Sequence, residues 1–276
     1  MPIGPFVLAL TAALLHALWN SAVKISADRL IAVSLITAGS VIVNIPIAAV
    51  VGLPPRAALP YLVLSPMVHA GYVVCLATAY DHADLSVAYP IARGVAPLLV
   101  TVGGVAFLGD EISVAGYVGV GLIAMALASM VLGHGELHGA GWALLTGLCI
   151  SSYSLLDAAG VRADDAGLRY GSWLFITHST VSLVVMRSLR SRDEIAEVWS
   201  ANRARLVLAG IAGGCAYLLV LSATQRAPAG LVSGIRETSV IFAVLIGVGL
   251  LGERVTPRHT VAVVLAAAGA VLIGVS

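Results

Sequence analysis

The chain contains a single lysine, Lys24, and charge of either sign is scarce: 15 Lys and Arg stand against 14 Asp and Glu, together 11% of 276 residues. Soluble domains carry charge on about 25% of their residues, so a surface this poor in charge does not face water. The one lysine lies in Ser21-Ala22-Val23-Lys24-Ile25-Ser26. No Gly-Lys-Ser/Thr is formed, which excludes a phosphate-cradling Walker loop and ATP hydrolysis by that route. A net charge of +1 offers no general attraction to nucleic acid. The three cysteines, Cys75, Cys149 and Cys215, sit singly inside apolar runs, without the paired spacing of a zinc site or a disulfide framework, and read as packing thiols. No His precedes a Glu, and no G-x-S-x-G occurs, so the common metalloprotease and serine-hydrolase signatures are missing. The chain is therefore not read as an enzyme, and no cofactor or metal is expected.

Apolar sequence fills the space. Hydrophobic residues make up 59% of the chain, and the mean hydropathy is +1.01. A helix spanning a bilayer takes about 20 apolar residues, so ten spans would consume roughly 200 and leave no room for a separate soluble domain. Pro, Gly and polar punctuation marks out ten such stretches. They run approximately Ile3 to Ile25, Leu30 to Leu53, Ala57 to Tyr80, Asp84 to Leu108, Ser113 to Leu132, Gly139 to Val161, Leu168 to Leu189, Arg203 to Thr224, Pro228 to Leu251 and Val255 to Val275. No basic residue precedes Lys24, so the first stretch reads as a retained span rather than a cleaved signal. The polar segment Arg187 to Arg205 reads as a connection containing a short surface helix. Apolar character on all faces, without alternation, favours helices over a membrane barrel. The expected fold is an all-α polytopic membrane protein in the cell membrane, with the lipid bilayer as its main partner.

The sequence also repeats itself. Phe107-Leu108-Gly109-Asp110-Glu111-Ile112-Ser113 matches Leu250-Leu251-Gly252-Glu253-Arg254-Val255-Thr256 at an offset of 143, and the same offset sets Arg93 opposite Arg236. Leu10-Thr11-Ala12 and Leu145-Thr146-Gly147 mark the first spans of the two copies. This divides the chain into residues 1–133 and 139–276, five spans each. An odd number of spans forces the second copy into the membrane upside down, the inverted-repeat plan of secondary transporters.

His16-Ala17-Leu18-Trp19-Asn20, Tyr89-Pro90-Ile91-Ala92-Arg93-Gly94, Gly234-Ile235-Arg236-Glu237 and the two Leu-Gly-Asp/Glu elements resemble the EamA-type members of the drug/metabolite transporter superfamily. The resemblance extends over essentially the whole chain. It implies a ten-helix bundle around a central cavity lined by spans one, three, four, six, eight and nine, with spans five and ten more peripheral and both termini cytoplasmic. Related small multidrug exporters couple to protons through a Glu in the first helix of the repeat; span one here has no acid, and span six has only Asp157.

Ionisable groups inside a membrane are costly and mark function by default. Arg93 and Arg236 lie about a third of the way into their spans. If they face a cavity, their guanidinium forks suit a carboxylate or phosphate; alternatively each holds helices together by pairing with Glu237 or Asp157. His16, Trp19, Asn20 and Lys24 recur at spacings of three and four and form a polar stripe on one face of span one. Tyr89 and Tyr72 are further substrate-binding candidates, followed by His69, Tyr153, His178 and Tyr217. His16, Glu237 and Asp157 are candidates for proton coupling, although Asp157, about four residues before Val161, also reads as loop-ward. Asp110, Glu111, Glu253 and Arg254 read as boundary and capping residues.

Nine loop Lys and Arg fall on the face opposite the termini and four on the terminal face, so the positive-inside rule places the termini outside, against the resemblance. A reporter fused at the C-terminus separates the two. The expected function is secondary transport of a small polar or anionic metabolite, as an exporter, by a monomer or homodimer. The competing classes are a membrane-embedded enzyme acting on lipid-linked substrates and a non-transporting subunit.

Overall fold

A computed structural model of the chain describes residues 1–24, 26, 28–83, 85–131, 139–251 and 256–276. The regular elements among them are all helical: α1 (Ile3–Lys24), α2 (Arg29–Val51), α3 (Leu59–His82), α4 (Leu85–Leu108), α5 (Val114–Val131), α6 (Ala140–Asp164), α7 (Gly167–Leu189), α8 (Arg192–Thr224), α9 (Ala229–Glu237), α10 (Ser239–Leu251) and α11 (Pro257–Gly274). A 3₁₀ turn at Arg56–Ala58 leads into α3. Among the described residues nine stretches are long and apolar enough to cross a bilayer, with α9 and the start of α10 forming one of them. The tenth crossing, α7, has the length but is diluted by Thr177, His178, Ser179 and Thr180. Side chains turned outward are apolar, with Ile3, Val50, Phe107 and Val114 each at least 80% exposed. Lipid satisfies such a surface and water does not. The molecule is an all-α polytopic membrane protein.

Asp84, the Gly133 to His138 connection and the Glu253-Arg254 pair lie outside the described residues, as does the side chain of Lys24. The termini share one face, where the Met1 ammonium donates to the carbonyls of Ile273, at 3.3 Å, and Ser276. Arg56, Arg162, Arg169 and Arg226 belong to this terminal face.

Helices of the two halves pack in exchanged pairs. α1 lies on α8 as α6 lies on α3, α4 lies on α6 as α9 and α10 lie on α1, and α2 pairs with α7 as α5 pairs with α11. A two-fold axis in the membrane plane produces such an exchange. The tightest crossings depend on glycine. A Cβ on Gly210 of α8 would fall 2.8 Å from Gly39 Cα of α2, and one on Gly119 of α5 would fall 2.8 Å from the Gly269 carbonyl of α11. The absent side chains let backbones approach closely, which drives helix association where hydrophobicity cannot.

Three boundaries depart from the sequence reading. α8 starts at Arg192 rather than Arg203 and has no separate surface helix before it. A capping box, in which Ser191 Oγ accepts from Glu194 N and Glu194 Oε2 accepts from Ser191 N, starts the helix outside the apolar run. α6 continues to Asp164, capped by Asp165 in the left-handed conformation at φ 56°, which puts Asp157 within the bundle. Span nine is broken after Glu237, between α9 and α10.

On the far face, Asp28 caps α2 by accepting from Ile31 N at 3.0 Å, and its Oδ2 accepts from Arg190 Nε at 2.6 Å. Partial burial pushes the Asp28 carboxyl up, but the Ile31 N–H and Arg190 outweigh it and hold it below the ordinary aspartate value. A lowered value in the folded state adds stability above the unfolded value, about 3.9, and that contribution is lost as pH falls through the folded value. Thermal stability of Asp28→Asn is therefore expected to fall less steeply than wild type on acidification below about pH 4, as read by melting curves of the detergent-solubilised protein.

Candidate functional site

The break in span nine turns on Thr238, whose backbone N–H and Oγ1 both donate to the Ile235 carbonyl, at 3.0 and 2.6 Å, while Ile241 N returns to the Thr238 carbonyl at 2.9 Å. These short-range bonds interrupt the α ladder in the middle of the span. Arg236 and Glu237 form the last turn of α9, and both are buried. Arg93 enters from α4, between Pro90 and Pro97.

The two arginines that share a place in the two halves meet at one carboxylate. Glu237 Oε2 lies 2.8 Å from Arg93 Nε, and its Oε1 lies 3.4 Å from Arg236 Nη2. Arg93 Nη2 donates to His16 Nε2 on α1 at 2.8 Å, and its guanidinium carbon lies 5.9 Å from the Tyr89 ring centre. A guanidinium only donates, so this His16 nitrogen is unprotonated. Arg93 thus braces α1, α4 and α9 through its ion pair with Glu237 and its bond to His16, and the Nε of both arginines has no hydrogen-bond partner.

The stripe on span one is only partly drawn into this cluster. Trp19 meets His16 edge-on, with ring centres 5.1 Å apart, and otherwise packs among Ile31, Ile36 and Leu206 of α2 and α8. Asn20 spends its amide on the His16 carbonyl of its own helix, at 2.9 Å.

Asp157 lies deep in the protein, not in a solvated loop: it is 1% exposed. Its Oδ1 accepts from Tyr170 at 3.1 Å and its Oδ2 from Tyr217 at 2.5 Å, so α7 and α8 both hold it. Tyr170 escaped the sequence reading. The signal for it was Gly160, where a Cβ would strike the Tyr170 ring at 2.3 Å; the glycine leaves room for the ring that reaches Asp157. Beside this acid, His69 stacks on Tyr153 at 3.6 Å and lies 4.2 Å from His178, with Tyr72 edge-on to Tyr153 at 5.9 Å. The isolated aromatic candidates from spans three, six, seven and eight form one wall.

A cavity of about 20 Å³ separates Asp157 from Arg236, lined also by Ser154, Tyr217, Thr224 and Ser233. A latch joins the helix ends on the terminal face. Arg162 Nη2 pairs with Asp110 Oδ1 at 2.8 Å, and Arg162 also donates to the carbonyls of Thr224 and Ala227, each at 3.2 Å. Asp110 Oδ2 accepts from Ala229 N at 2.8 Å, at the start of α9. Asp110 is a boundary residue as expected, but it caps a helix of the other half. Among the described residues no group of three or more potential metal ligands occurs.

No curated protein matches this sequence. Among solved structures, one titled only as a crystal structure of protein superposes with a TM-score of 0.78 at 16% identity, covering 98% of each chain, which shows a shared fold. The EamA-like transporter family matches residues 137–275. That match covers just over half of the chain and includes α6 to α11, the helices that carry Asp157, Arg236 and Glu237, and the chain accordingly belongs to the EamA-like transporter family.

Proposed function

We propose that the protein is a secondary transporter that exports a small polar or anionic metabolite across the cell membrane by alternating access around the buried cluster. Arg236 is the principal substrate-binding group and Arg93 its partner, with Tyr89, Tyr72, Trp19 and Asn20 completing the walls. His16, Glu237 and Asp157 are the groups whose protonation changes through the cycle. The observation that carries this reading is the meeting of Arg93 and Arg236 on Glu237 at a helix break, because two buried cations over one carboxylate leave a positive charge there, which an anion can take up when Asp157 across the cavity is neutral. Broken helices at the midplane between inverted halves are the usual seat of transporter sites. Rocking of the halves would open one face at a time, and the Arg162–Asp110 latch holds the terminal face closed. A single chain supplies both halves, so a monomer suffices.

A melting-temperature screen of the detergent-purified protein against carboxylates and phosphates tests the substrate class. A metabolite at about 100 times its dissociation constant adds about 2.7 kcal/mol of stability. In proteoliposomes, uptake of the compound so identified is expected to fall roughly tenfold or more in Arg236→Gln, the worth of a charge-assisted hydrogen bond. Uptake equal to wild type in both Arg236→Gln and Arg93→Ala overturns the assigned site.

A further inference from the structure

Six buried side-chain atoms among the described residues have no hydrogen-bond partner, and three of them, Ser154 Oγ, Ser233 Oγ and Arg236 Nε, belong to residues that line a cavity walled also by Asp157. Ser233 is 6% exposed and Arg236 4%. Each of the three can donate, and the guanidinium can do nothing else. Leaving three donors unpaired in a buried space is unfavourable, so the space suits an acceptor. A cavity this size takes a water molecule. One water can accept from the guanidinium and exchange hydrogen bonds with both hydroxyls, so the donor count alone does not select the occupant. The guanidinium, charged and able only to donate, is what favours an anionic acceptor such as a carboxylate, for which the walls must part beyond the room of one water.

Charge adds a second condition. Among the described residues the charged side chains buried at the middle of the bundle are Arg93, Arg236, Glu237 and Asp157, which sum to zero with both acids ionised. An anion entering the cavity leaves one uncompensated negative charge in a low-dielectric region, beside the Asp157 carboxylate. Uptake of one proton by Asp157 removes it. The two tyrosines permit this, since a phenol hydroxyl that donates to a carboxylate can rotate and accept from a carboxylic acid. Other groups that face this region are His69 and Tyr72 from α3, Arg93 and Tyr89 from α4, Tyr170 and His178 from α7, Tyr217 from α8, Arg236 and Glu237 from α9, and Tyr153 on α6 itself. Glu237 is held by two arginines and His69 Nδ1 by the Ser65 carbonyl at 3.1 Å. Phenols stay neutral near pH 7, so Asp157, His178 and His69, through its Nε2, are the groups left to take a proton, and only Asp157 would give a carboxylic acid.

We propose that the cavity between α4, α6, α8 and α9 is a carboxylate-binding subsite, with Arg236 Nε, Ser233 Oγ and Ser154 Oγ donating to one carboxylate, and that Asp157 is protonated when the subsite is filled. Combined with the transport reading, on which this last step rests, one proton accompanies each monoanion and the cycle is electroneutral.

Acetate serves as the minimal probe. Infrared difference spectra of the detergent-solubilised full chain, with sodium acetate against sodium chloride near pH 7, are expected to show the C=O stretch of a newly protonated carboxylic acid, together with uptake of one proton per acetate bound. The band is lost in Asp157→Asn and kept in Asp157→Glu and His178→Gln. Acetate affinity falls roughly tenfold or more in Arg236→Lys, which moves the donor, and by a smaller factor in Ser233→Ala. A band that persists in Asp157→Asn, saturation by acetate without proton uptake, or unchanged affinity in both Arg236→Lys and Ser233→Ala overturns the proposal. Should Asp157→Asn not fold, Tyr217→Phe takes its place: loss of one hydroxyl partner must shift the pH midpoint of the band, and an unmoved midpoint excludes Asp157 as its source. None of these readings depends on transport. Acetate-dependent protonation without movement of any anion into proteoliposomes would retire the transport reading and leave the subsite standing.

Discussion

Replacing Glu237 by glutamine is expected to lower the melting temperature of the detergent-solubilised protein by roughly 6–20 °C. The carboxylate accepts the ion pairs of both Arg93 and Arg236 and is itself 2% exposed. Glutamine keeps the shape but removes the charge, so two guanidinium groups face each other without a counter-ion. Breaking a buried pair by removing one partner costs about 3–5 kcal/mol, because the survivor stays charged and dry. For a chain of this size each kcal/mol corresponds to roughly 2–4 °C. The double variant Arg93→Gln with Glu237→Gln should recover part of the loss, since only one cation is then left unpaired. Stability and transport should part company at this point. The double variant lacks the brace between α1, α4 and α9, so its transport is expected to stay low although its melting temperature rises. A melting temperature of Glu237→Gln within 2 °C of wild type would show that the two arginines find other partners. Glu237 would then not be the keystone of the cluster.

The charges in this cluster were legible in sequence, and their partnership was legible only in outline. Arg93 and Arg236 stood out because a duplication offset of 143 residues brought them to the same place in a chain where buried charge is rare. Glu237 follows Arg236 directly, and neighbours along a helix point apart. Both arginines meet Glu237 in the last turn before the break at Thr238, and nothing in Gly234-Ile235-Arg236-Glu237-Thr238-Ser239 forces a break: no proline or glycine stands at the turn. The interruption comes from a threonine hydroxyl that takes the Ile235 carbonyl, a local bond that competes with the helix ladder. The choice between a buried and a loop-ward Asp157 stayed open in sequence for a related reason. Hydropathy ends span six near Val161, but the helix continues to Asp164, where the carboxylate accepts from Arg169 Nε at 2.7 Å and turns the chain into α7. The hairpin then brings Tyr170 back alongside Asp157. A pattern of apolar residues marks where lipid is met, and polar contacts at the ends and the centre decide where helices stop.

Replacing Gly210 by valine is expected to reduce the recovery of folded protein more than any charge removal outside the cluster. A Cβ at this position would lie 2.5 Å from the Ile36 carbonyl and 2.8 Å from Gly39 Cα. Both obstacles are backbone, so no side chain can rotate aside and α2 and α8 must separate. Overpacking in a well-packed core costs about 1–3 kcal/mol, and a clash of two main chains belongs at the upper end or beyond. The separation would also be felt elsewhere on the same helices. Ser179 of α7 donates to the Thr37 carbonyl of α2 at 2.8 Å, and Trp19 of α1 packs into the Ile31, Ile36 and Leu206 cluster, so both would lose contacts. Gly213, three residues on, supplies the control: a Cβ there meets Trp19 at 3.6 Å, an ordinary contact. Fluorescence-detected size exclusion of tagged protein should give a depleted or aggregated peak for Gly210→Val and a wild-type peak for Gly213→Ala. Equal profiles would mean that the halves do not meet as closely at α2 and α8 as the glycine pair requires. On the proposed rocking of the two halves, a crossing where backbones touch has little leverage and can serve as a pivot. Gly210→Ala, whose methyl group is the Cβ that meets both backbones, is accordingly expected to lower the recovery of folded protein as well, by less than Gly210→Val, which adds two further methyl groups.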